Sequence, residues 1–216
     1  MTKVLIYNEI TGAPQGISNG TLQIEEAPSS VVDEYVKKYH YSHKTTKNRF
    51  LSFLVNKDKG ILQLGYGIRP HMKHTISKLI TKENYCEFDR MWLSDELPKN
   101  SESQVIGLLL SYMKQVYPKI KFIITYADES AGNKGTIYMA TNAIRLGGVP
   151  VDFYLLPSGE RVHPVSMWHR HKTRAKDVME KIYPGIKHIK GGYQQKRFLY
   201  VLDKKTLKQY EHEKLL

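Results

Sequence analysis

The sequence predicts one α/β (α+β) domain. Short runs rich in β-branched and aromatic residues alternate along the chain with stretches whose apolar residues recur at helical spacing. The composition is 41% hydrophobic and 25% charged, close to that of globular domains, and 216 residues suffice for one such domain. This alternation of strands and helices is typical of a sheet that buries its apolar surface against helices.

The first half of the chain contains one predicted helix and one predicted hairpin. Residues 1–20 are interrupted by glycine and proline and predict a short strand followed by loops. Residues 29–39 place two valines and two tyrosines on one helical face behind a capping serine, Ser29. The runs FLSFLV and GILQLGYGI predict two strands joined by the turn NKDKG. The glycines of Gly65-Tyr66-Gly67 indicate a bulge or close packing at the strand end.

The middle of the chain gives the clearest helix. Residues 71–84 predict a short helix, and CEFDRMWL predicts a strand. Residues 105–117 carry apolar side chains on one face and predict a buried amphipathic helix. Ser101 and Gln104 precede it in the capping-box pattern. KFIITYA then predicts a buried strand that ends at Asp128.

The remaining elements are predicted from shorter patterns. TIYMATNAIRL predicts a second amphipathic helix, with Gly147 and Gly148 just past its end. VDFYLL predicts a strand, the basic residues 171–182 predict a helix, and KRFLYVL predicts a closing strand.

Positive charge is concentrated toward the C-terminus. The chain has a net charge of +12, and residues 161–216 hold 14 Lys and Arg against 5 Asp and Glu, whereas residues 1–160 hold 19 against 16. A cationic segment favours a polyanionic partner, because each cation that meets a phosphate releases condensed counterions. A solvated basic tail is the alternative. Aromatic residues and strand-like runs within the tail favour nucleic acid.

The segment WHRHKTRAK at 168–176 is the strongest candidate for DNA contact. It interleaves basic side chains with Trp168, which suits phosphate contacts beside a stacking platform. A solvated helix face accounts for it about as well. The predicted DNA-contacting residues are Arg170, Lys172, Arg174, Lys176, Lys196 and Arg197.

Neither a membrane span nor a secretory signal is predicted. The N-terminal MTKVLIYNEI has only a short apolar run, and no run of about 18 apolar residues occurs. Cys86 is the single cysteine, so an internal disulfide and a zinc site built from several cysteines are excluded. We therefore expect a protein of a reducing compartment such as the cytoplasm.

Three polar segments could carry chemistry. The backbone N–H groups at PKNSES suit an anion, although capping alone explains Ser101. Asp128 ends a strand before a glycine-bearing loop, where open α/β sheets bind ligands, and a turn-capping aspartate is the alternative. His40, Tyr41 and His43 include two metal-ligating imidazoles. A metal needs at least three converging ligands, so a polar loop is favoured.

These segments together resemble a known family. HYS at 40–42, LQLGYG at 62–67, FDRMWL at 88–93, P-x-N-x-E-S at 98–103 and YADxxxGNKGTIYxAxN at 126–142 resemble the Mom-type DNA modification enzymes of bacteriophages. The resemblance covers about residues 35–148. The last two segments, in this order and roughly 25 residues apart, are its most specific part.

The resemblance implies a fold and an activity. It implies the GNAT acetyltransferase-like fold, with a central mixed sheet flanked by helices over residues 1–216 and a basic C-terminal part at 161–216. It also implies a transferase that converts the N6 amino group of adenine in double-stranded phage DNA to an acetamido- or glycinamide-like derivative, in the host cytoplasm. Such a change protects phage DNA from host restriction.

The resemblance also implies site residues by position. The matching catalytic positions are His40, Tyr41, Arg90, Ser103, Asp128 and Tyr138, and an iron ion is implied near His40, Tyr41 and Asp128. Residues of the turn at the helix start, namely Asn100, Ser101, Glu102 and Ser103, would bind the donor. This turn lacks the glycine spacing of the coenzyme A loop in typical members of the fold, so a coenzyme A thioester and a glycine-derived donor both remain open.

The reaction requires an activated amine. The lone pair of adenine N6 is delocalised into the ring, so the base must be flipped out of the stack and oriented while a proton is removed. We hypothesise that Asp128 hydrogen bonds to N6 and accepts this proton, that Tyr41 or Tyr138 bounds the flipped base, and that Arg90 stabilises developing negative charge. An acetyltransferase for a protein or small molecule, and a non-catalytic nucleic-acid-binding module, are the alternatives.

Overall fold

A computed structural model describes residues 2–67, 73, 75–129 and 132–215. Within these ranges the chain forms ten strands and six helices. The strands are β1 (Val4–Tyr7), β2 (Pro14–Ser18), β3 (Gln23–Glu26), β4 (Arg49–Val55), β5 (Gly60–Gly65), β6 (Tyr85–Leu93), β7 (Phe122–Asp128), β8 (Ile144–Leu155), β9 (Arg161–Val162) and β10 (Lys187–Val201). The helices are α1 (Ser29–Tyr39), α2 (Ser101–Val116), α3 (Thr136–Ala140), α4 (Pro164–His171), α5 (Lys176–Ile182) and α6 (Lys204–Leu215). None of these helices has both the length and the apolarity to cross a bilayer.

The chain folds into two compact units. The first comprises Met1–Tyr126, Gly135–Leu146 and Phe198–Leu216, and the second comprises Ala127–Lys134 and Gly147–Arg197. Strands β7, β8 and β10 contribute residues to both units. The basic segment 161–216 is therefore divided, because 161–197 belongs to the second unit and the remainder belongs to the first.

A mixed sheet organises the first unit. Strands β1 to β6 follow one another in chain order, and each pairs antiparallel with the next. The β6–β7 pair is parallel, and α2 is the crossover between these two strands. The predicted hairpin of β4 and β5 and the predicted strands β6 and β7 are confirmed.

Helix α2 covers one face of this sheet. Its apolar residues recur every three or four positions, which gives one face that is fully removed from water. That face includes Val105, Leu109 and Tyr112, as the sequence predicts, and it packs on Phe53 and Leu62. Burial of each such side chain contributes about 1.5–3 kcal/mol relative to exposure. The α2 face is therefore the main core of the unit.

Helix α1 covers the opposite face. Val32 and Val36 are buried against Ile61 and pack with the partly buried Trp92. Because side chains alternate along a strand, Ile61 points to α1 while its neighbour Leu62 points to α2. The two faces thus carry separate sets of side chains, and polar residues near the site can be assigned to one face by their register.

Two capping predictions were wrong. Helix α1 is preceded by Pro28 and has no side-chain cap, because the hydroxyl of Ser29 lies 3.1 Å from that of Ser52 on β4. Helix α2 has no side-chain cap either. Its Ser101 hydroxyl donates to the carbonyl of Pro98 at 2.6 Å instead of acting in a capping box. The hydroxyls of both serines therefore form hydrogen bonds with other partners, Ser52 on β4 and the Pro98 carbonyl, instead of capping their helices.

The predicted helix TIYMATNAIRL was largely wrong. Helix α3 has only five residues, and Asn142 adopts a left-handed backbone conformation with a φ of 65° soon after it ends. From Ile144 the chain is strand β8, so Gly147 and Gly148 lie inside a strand rather than past a helix. The apolar side chains Ile144 and Leu146 alternate onto a second cluster around Tyr85 and Phe122, which favours the extended chain.

Other differences lie at the ends of the chain. Strands β2 and β3 and helix α6 were not predicted, because β2 and β3 contain glycine, proline and acidic residues and α6 has a mostly polar surface. The predicted helix over 171–182 is confirmed as α5, but Lys172 is left-handed and separates α5 from α4. Part of the short helix predicted within 71–84 falls on residues outside the described ranges.

The second unit has its own small core. Strands β10, β8 and β9 are neighbours in that order, and β8 and β9 pair antiparallel. The buried side chains of Tyr154, Leu156, Val162, Met167 and Met179 join β8 and β9 to helices α4 and α5. This core therefore supports two short helices, of which α4 carries Arg170 and two histidines, whereas the lysines of α5 are balanced by Asp177 and Glu180.

The α2 face predicts the effect of a truncation in the sheet. Leu62→Ala removes a fully buried side chain from the centre of β5, so we expect it to lower the free energy of unfolding by about 2–5 kcal/mol. Val4→Ala, at a side chain that is 60% exposed, should change it by less than about 0.5 kcal/mol. Urea denaturation measures both. Equal losses would contradict the assignment of this core.

Candidate functional site

A β-bulge in β6 marks the candidate site. Gln63 pairs with Arg90 and the next residue, Leu64, pairs with Phe88, so Asp89 is the extra residue of β6. A bulge bends the strand and redirects a side chain, and bulges occur often beside active sites. The parallel β6–β7 ladder ends at the pair Phe88–Thr125, although β6 continues to Leu93. The bulge therefore lies where the sheet pairing changes.

Two carboxylates are packed next to this bulge. Glu87 is only 5% exposed, and one of its oxygens lies 2.5 Å from the ammonium nitrogen of Lys73. Lys73 also donates to the hydroxyl of Tyr126 at 2.8 Å. Burial, and secondarily the charge of Glu87, raises the pKa of Asp89 to about 7, while Arg90 and Lys73 oppose the shift. Asp89 thus exchanges its proton near neutral pH, whereas Glu87 is held in an ion pair.

Two glycines make room for these carboxylates. A β-carbon on Gly65 would collide with an oxygen of Asp89 and with the backbone carbonyl of Asn48. A β-carbon on Gly67 would overlap the carboxylate of Glu87, and Gly67 also has a φ of +68°. The close packing that the glycine pattern predicts at this strand end is confirmed.

The HYS loop and the FDR strand meet on the α1 face. His40 is 5% exposed, and burial, with smaller contributions from the charges of Arg90 and His43, lowers the pKa of His40 to about 4. Its Nδ1 atom lies 2.8 Å from the hydroxyl of Ser42, and its ring packs on Tyr41 with centroids 4.3 Å apart. The structure therefore brings His40, Tyr41 and Arg90 together with a neutral imidazole.

Arg90 is fixed by backbone contacts. Its Nε atom donates to the carbonyl of Lys44 at 3.1 Å, and its guanidinium donates to the carbonyl of Asp89 at 2.7 Å. These bonds connect the loop after α1 to the bulge. Tyr41, by contrast, leaves 55% of its surface exposed and presents an aromatic ring to solvent beside the buried imidazole.

Tyr138 lies at the end of the β6–β7 ladder. Its ring packs edge-on against Phe88, with centroids 6.5 Å apart, and against Phe198 at 5.3 Å. Burial raises the pKa of Tyr138, and a hydrogen bond with the hydroxyl of Thr125 opposes the shift. Tyr138 therefore remains a neutral phenol that contacts the residue preceding Asp89.

The predicted donor-binding residues form the first turn of α2. Asn100 precedes the helix in a left-handed conformation with a φ of 66°, and the hydroxyl of Ser103 donates to its carbonyl at 3.0 Å. Ser101 is 2% exposed, whereas Glu102 points to solvent. α2 packs on the face of the sheet opposite α1, so Ser103 belongs to a different face from His40 and Arg90.

Asp128 belongs to the second unit. It is half-buried at the end of β7, and its carbonyl accepts a hydrogen bond from the backbone N–H of Asn133 at 3.1 Å. Of the residues implied as iron ligands, His40 and Tyr41 lie in the first unit. Among the described residues, no group of three or more His, Cys, Asp or Glu side chains is arranged to hold a metal. The described residues do not support the implied iron site.

The predicted DNA-contacting residues all lie in the second unit, and some have acidic partners. Arg170 pairs with Glu160 at 2.6 Å, and Lys196 pairs with Glu129 at 3.4 Å. The ammonium group of Lys172 lies 5.1 Å from the centre of the Trp168 ring, and the Nε atom of Arg197 is buried.

Arg174 and Lys176 differ from these residues because they line a cavity. They are exposed and line a cavity of about 140 Å³ with Tyr154 and His188, whose rings stack 4.7 Å apart. Cationic side chains beside an aromatic wall are suited to a phosphate-bearing ligand.

Sequence reasoning missed three residues of the site. Glu87, Asp89 and Lys73 were not selected, although Asp89 lies inside the quoted FDR motif. These residues could have been found from two features taken together: Glu87 and Asp89 at alternate positions of one strand, and Gly65 and Gly67 at the end of the strand before it. Small residues opposite charged ones indicate buried charge, because only glycine leaves the space.

The fold is shared with a known class of structures. A mixed sheet between helices is the architecture of the GNAT acetyltransferases. The ribosomal-protein-S5-alanine acetyltransferase from Vibrio fischeri matches with a TM-score of 0.50 and 8% identity, over 88% of this chain and 97% of that one. The spermidine N-acetyltransferase from Vibrio cholerae, solved with CoA and spermine, gives a TM-score of 0.47 and 9% identity over 85% and 97%.

The sequence defines the family within that class. The chain belongs to the Mom protein family, whose model matches residues 21–215. It is 30% identical over 162 residues to the protein named methylcarbamoylase mom of Escherichia phage Mu, which covers 74% of this chain and 67% of that protein. The resemblance read from the motifs is confirmed, as is the GNAT-like α/β fold.

The glycine packing predicts a difference between two alanine variants. Gly67→Ala and Gly20→Ala both place a side chain at positive φ, which costs about 1–2 kcal/mol, but only Gly67 faces a carboxylate, while Gly20 has open space. We expect Gly67→Ala to lower the free energy of unfolding by a further ~1–3 kcal/mol. Chemical denaturation of both variants measures this. Losses of the same size would show that the Glu87 carboxylate does not depend on this glycine.

Proposed function

We propose that this chain transfers a methylcarbamoyl-type, acetamido- or glycinamide-like group to N6 of adenine in double-stranded phage DNA, in the host cytoplasm. Membership of the Mom family and the GNAT-type fold indicate a modification transferase, and the phage Mu relative is named a methylcarbamoylase. The observation that carries the proposal is the contact of the HYS loop with the FDR strand, which places His40, Tyr41 and Arg90 on one face of the sheet. Such a product would protect the DNA from restriction nucleases.

The residues of this face suit a flipped adenine. The exposed ring of Tyr41 offers a stacking surface, and aromatic stacking contributes about 1–3 kcal/mol per base. His40 is neutral at physiological pH, so its imidazole can donate or accept a hydrogen bond without placing a charge beside the base. The guanidinium of Arg90 would stabilise negative charge that develops during transfer. We further propose that Asp128 orients the N6 amino group and that Tyr138 bounds the reacting groups.

The donor is a coenzyme A thioester or a glycine-derived compound. A coenzyme A thioester whose acyl group is methylcarbamoyl would supply an activated carbonyl carbon and a thiolate leaving group. A glycine-derived donor of the acetamido- or glycinamide-like group would instead be attacked at its methylene carbon, which must carry the leaving group. In the first turn of α2 the backbone N–H of Ser101 donates to the carbonyl of Pro98, which leaves the N–H groups of Glu102 and Ser103 without a helical carbonyl. Because this turn lies on the face opposite His40 and Arg90, these groups would hold a polar part of the donor that is remote from the reacting carbon. The exposed carboxylate of Glu102 in the same turn favours a donor with little negative charge in that part. No step is assigned to iron.

The proposal is tested by the mass of the product. The protein is expressed with a plasmid, the DNA is digested to nucleosides, and mass spectrometry is used to look for deoxyadenosine heavier by one methylcarbamoyl or isomeric carbamoylmethyl group. We expect this nucleoside with the wild type and a clearly reduced amount with Asp128→Asn, which keeps the size of the side chain and one acceptor oxygen but removes the charge that would strengthen its hydrogen bond to N6.

Lys119→Gln, an exposed change on the first unit, is the control that should retain full modification. Unmodified DNA in cells that contain abundant folded wild-type protein would contradict the proposed function. Full activity of Asp128→Asn would contradict the role of that residue alone.

The exposed cations Arg174 and Lys176 predict the salt dependence of DNA binding. The double variant Arg174→Glu/Lys176→Glu should weaken binding to duplex DNA and reduce the slope of log K against log salt by about 2, because each lost phosphate contact removes roughly one unit. Lys82→Glu/Lys119→Glu makes the same change in net charge on the first unit and should leave the slope nearly unchanged. Fluorescence anisotropy at several salt concentrations measures both. Equal slopes in the two variants would place DNA binding elsewhere.

A further inference from the structure

We propose that the Asp89 carboxylate is the base that takes the proton from the attacking amine. This inference rests on the proposed function, and it replaces Asp128 in the proton-accepting role while leaving Asp128 to orient the amino group. It follows from the bulge in β6, from the space that the missing side chain of Gly65 leaves, and from the different environments of Glu87 and Asp89 on this strand.

The bulge gives Asp89 a position that regular pairing would not allow. Without an extra residue, alternation along β6 would place residues 89 and 90 on opposite faces of the sheet. Since Asp89 has no pairing partner on β5, its side chain is redirected, and its carboxylate lies over Gly65 on β5. Arg90 stays in register with Gln63 on the α1 face, where it meets the HYS loop. Asp89 is therefore the sequence neighbour of Arg90, which lies on the face proposed to bind adenine.

The neighbouring carboxylate cannot serve the same purpose. Glu87 is 5% exposed and is bound to Lys73, which in turn is hydrogen bonded to Tyr126. The contact with Lys73 therefore already engages the Glu87 carboxylate. Asp89 is partly buried and is more exposed than Glu87. Strand β6 thus carries Glu87, which is engaged by Lys73, and two residues later Asp89, which can take up and release a proton.

The protonation equilibria favour Asp89 over His40 as the base. The charged groups that act on Asp89 are Glu87, which favours its protonated form, and Arg90 and Lys73, which favour the carboxylate. With burial included, the pKa of Asp89 is about 7, whereas that of His40 is about 4. Asp89 is therefore a stronger base than His40, and its carboxylate form becomes the major form as the pH rises above neutral.

The chemical step balances with an activated donor of the proposed class. The N6 lone pair forms a bond to the donor carbon, and the bond between that carbon and the leaving group breaks, with its electron pair remaining on the leaving group. The proton that N6 loses moves to the Asp89 carboxylate. It is then released to the leaving group or to water, which restores the ionised base for the next cycle.

Activity measurements on an Asp89 variant test the inference. The purified full-length protein is incubated with duplex DNA and the small-molecule fraction of a host-cell extract, which supplies the donor, and modified deoxyadenosine is quantified. We expect Asp89→Asn to lower the initial rate by about 10²–10⁴-fold while DNA affinity is retained. If the wild type forms no product, the proposed function fails. If the wild type is active and Asp89→Asn keeps its rate, this inference fails and the proposed function stands.

The pH dependence separates a base from a structural residue. The wild-type rate should rise with pH with a midpoint near 7 and level off about one pH unit higher, because Asp89 must be ionised. Glu87→Gln removes the charge that raises the pKa of Asp89, so the midpoint of this rise should move to lower pH in whatever activity remains. A structural role would lower the rate at every pH without moving the midpoint, and an unmoved midpoint would overturn the inference.

The stability of the same variant provides an independent check. Because the folded-state pKa is raised from 3.8 to about 7, protonation of Asp89 stabilises the folded state at low pH, and this stabilisation is lost as pH rises through 7. Asp89→Asn has no such loss, so its Tm should exceed that of the wild type above neutral pH and approach it in acid. A variant that is less stable than the wild type above neutral pH would show that the ionised carboxylate serves packing or ion pairing.

Discussion

The burial of two carboxylates on one strand is the constraint on which the site depends. Glu87 is buried and Asp89 is partly buried, two residues apart on β6. Two buried negative charges this close together cannot both be stable unless one is neutralised. Lys73 neutralises Glu87, and Asp89 accommodates the constraint through a pKa that is shifted to about 7. The glycines of β5 and the following loop supply the space that both side chains require.

The same burial has opposite consequences for acids and for histidine. Removal from water disfavours the charged form of every group, so it raises the pKa of Asp89 and lowers that of His40. Near neutral pH the site therefore holds an uncharged imidazole, a permanently charged guanidinium on Arg90 and a carboxyl group close to its midpoint. This set suits a reaction in which a neutral amine loses a proton, because a base of matched strength lies beside a cation and a neutral hydrogen-bonding group.

Much of the fold could be predicted because the central elements have strong periodicity. The faces of α1 and α2, the β4–β5 hairpin and strands β6 and β7 follow from apolar spacing alone. The failures have physical causes. The segment TIYMATNAIRL has an apolar pattern that fits both a helix and a strand, and the left-handed Asn142 and the tertiary contacts of Ile144 decide in favour of a strand. The capping predictions for Ser29 and Ser101 failed because nearby groups compete for hydrogen bonds with the two hydroxyls.

The site was predicted only where motifs were available. His40, Tyr41 and Arg90 followed from the family resemblance, and in the structure the rings of His40 and Tyr41 pack together while Arg90 bonds to the loop that follows them. No local pattern reveals that Asp89 is the bulged residue. Register depends on pairing between strands, which a single sequence does not display. Family membership established the class of enzyme, whereas the protonation behaviour of Asp89 depends on Lys73, Glu87 and Arg90, which come from two separate segments.

The most direct test of this electrostatic account is a titration of Asp89 itself. Aspartate labelled with ¹³C at the side-chain carboxyl is incorporated into the full-length protein, and the Asp89 signal is assigned by its loss in Asp89→Asn. The account predicts a carboxyl chemical shift whose midpoint lies near 7 in the wild type and moves to lower pH in Glu87→Gln. A midpoint near the ordinary value of about 3.9, unaffected by Glu87, would contradict it.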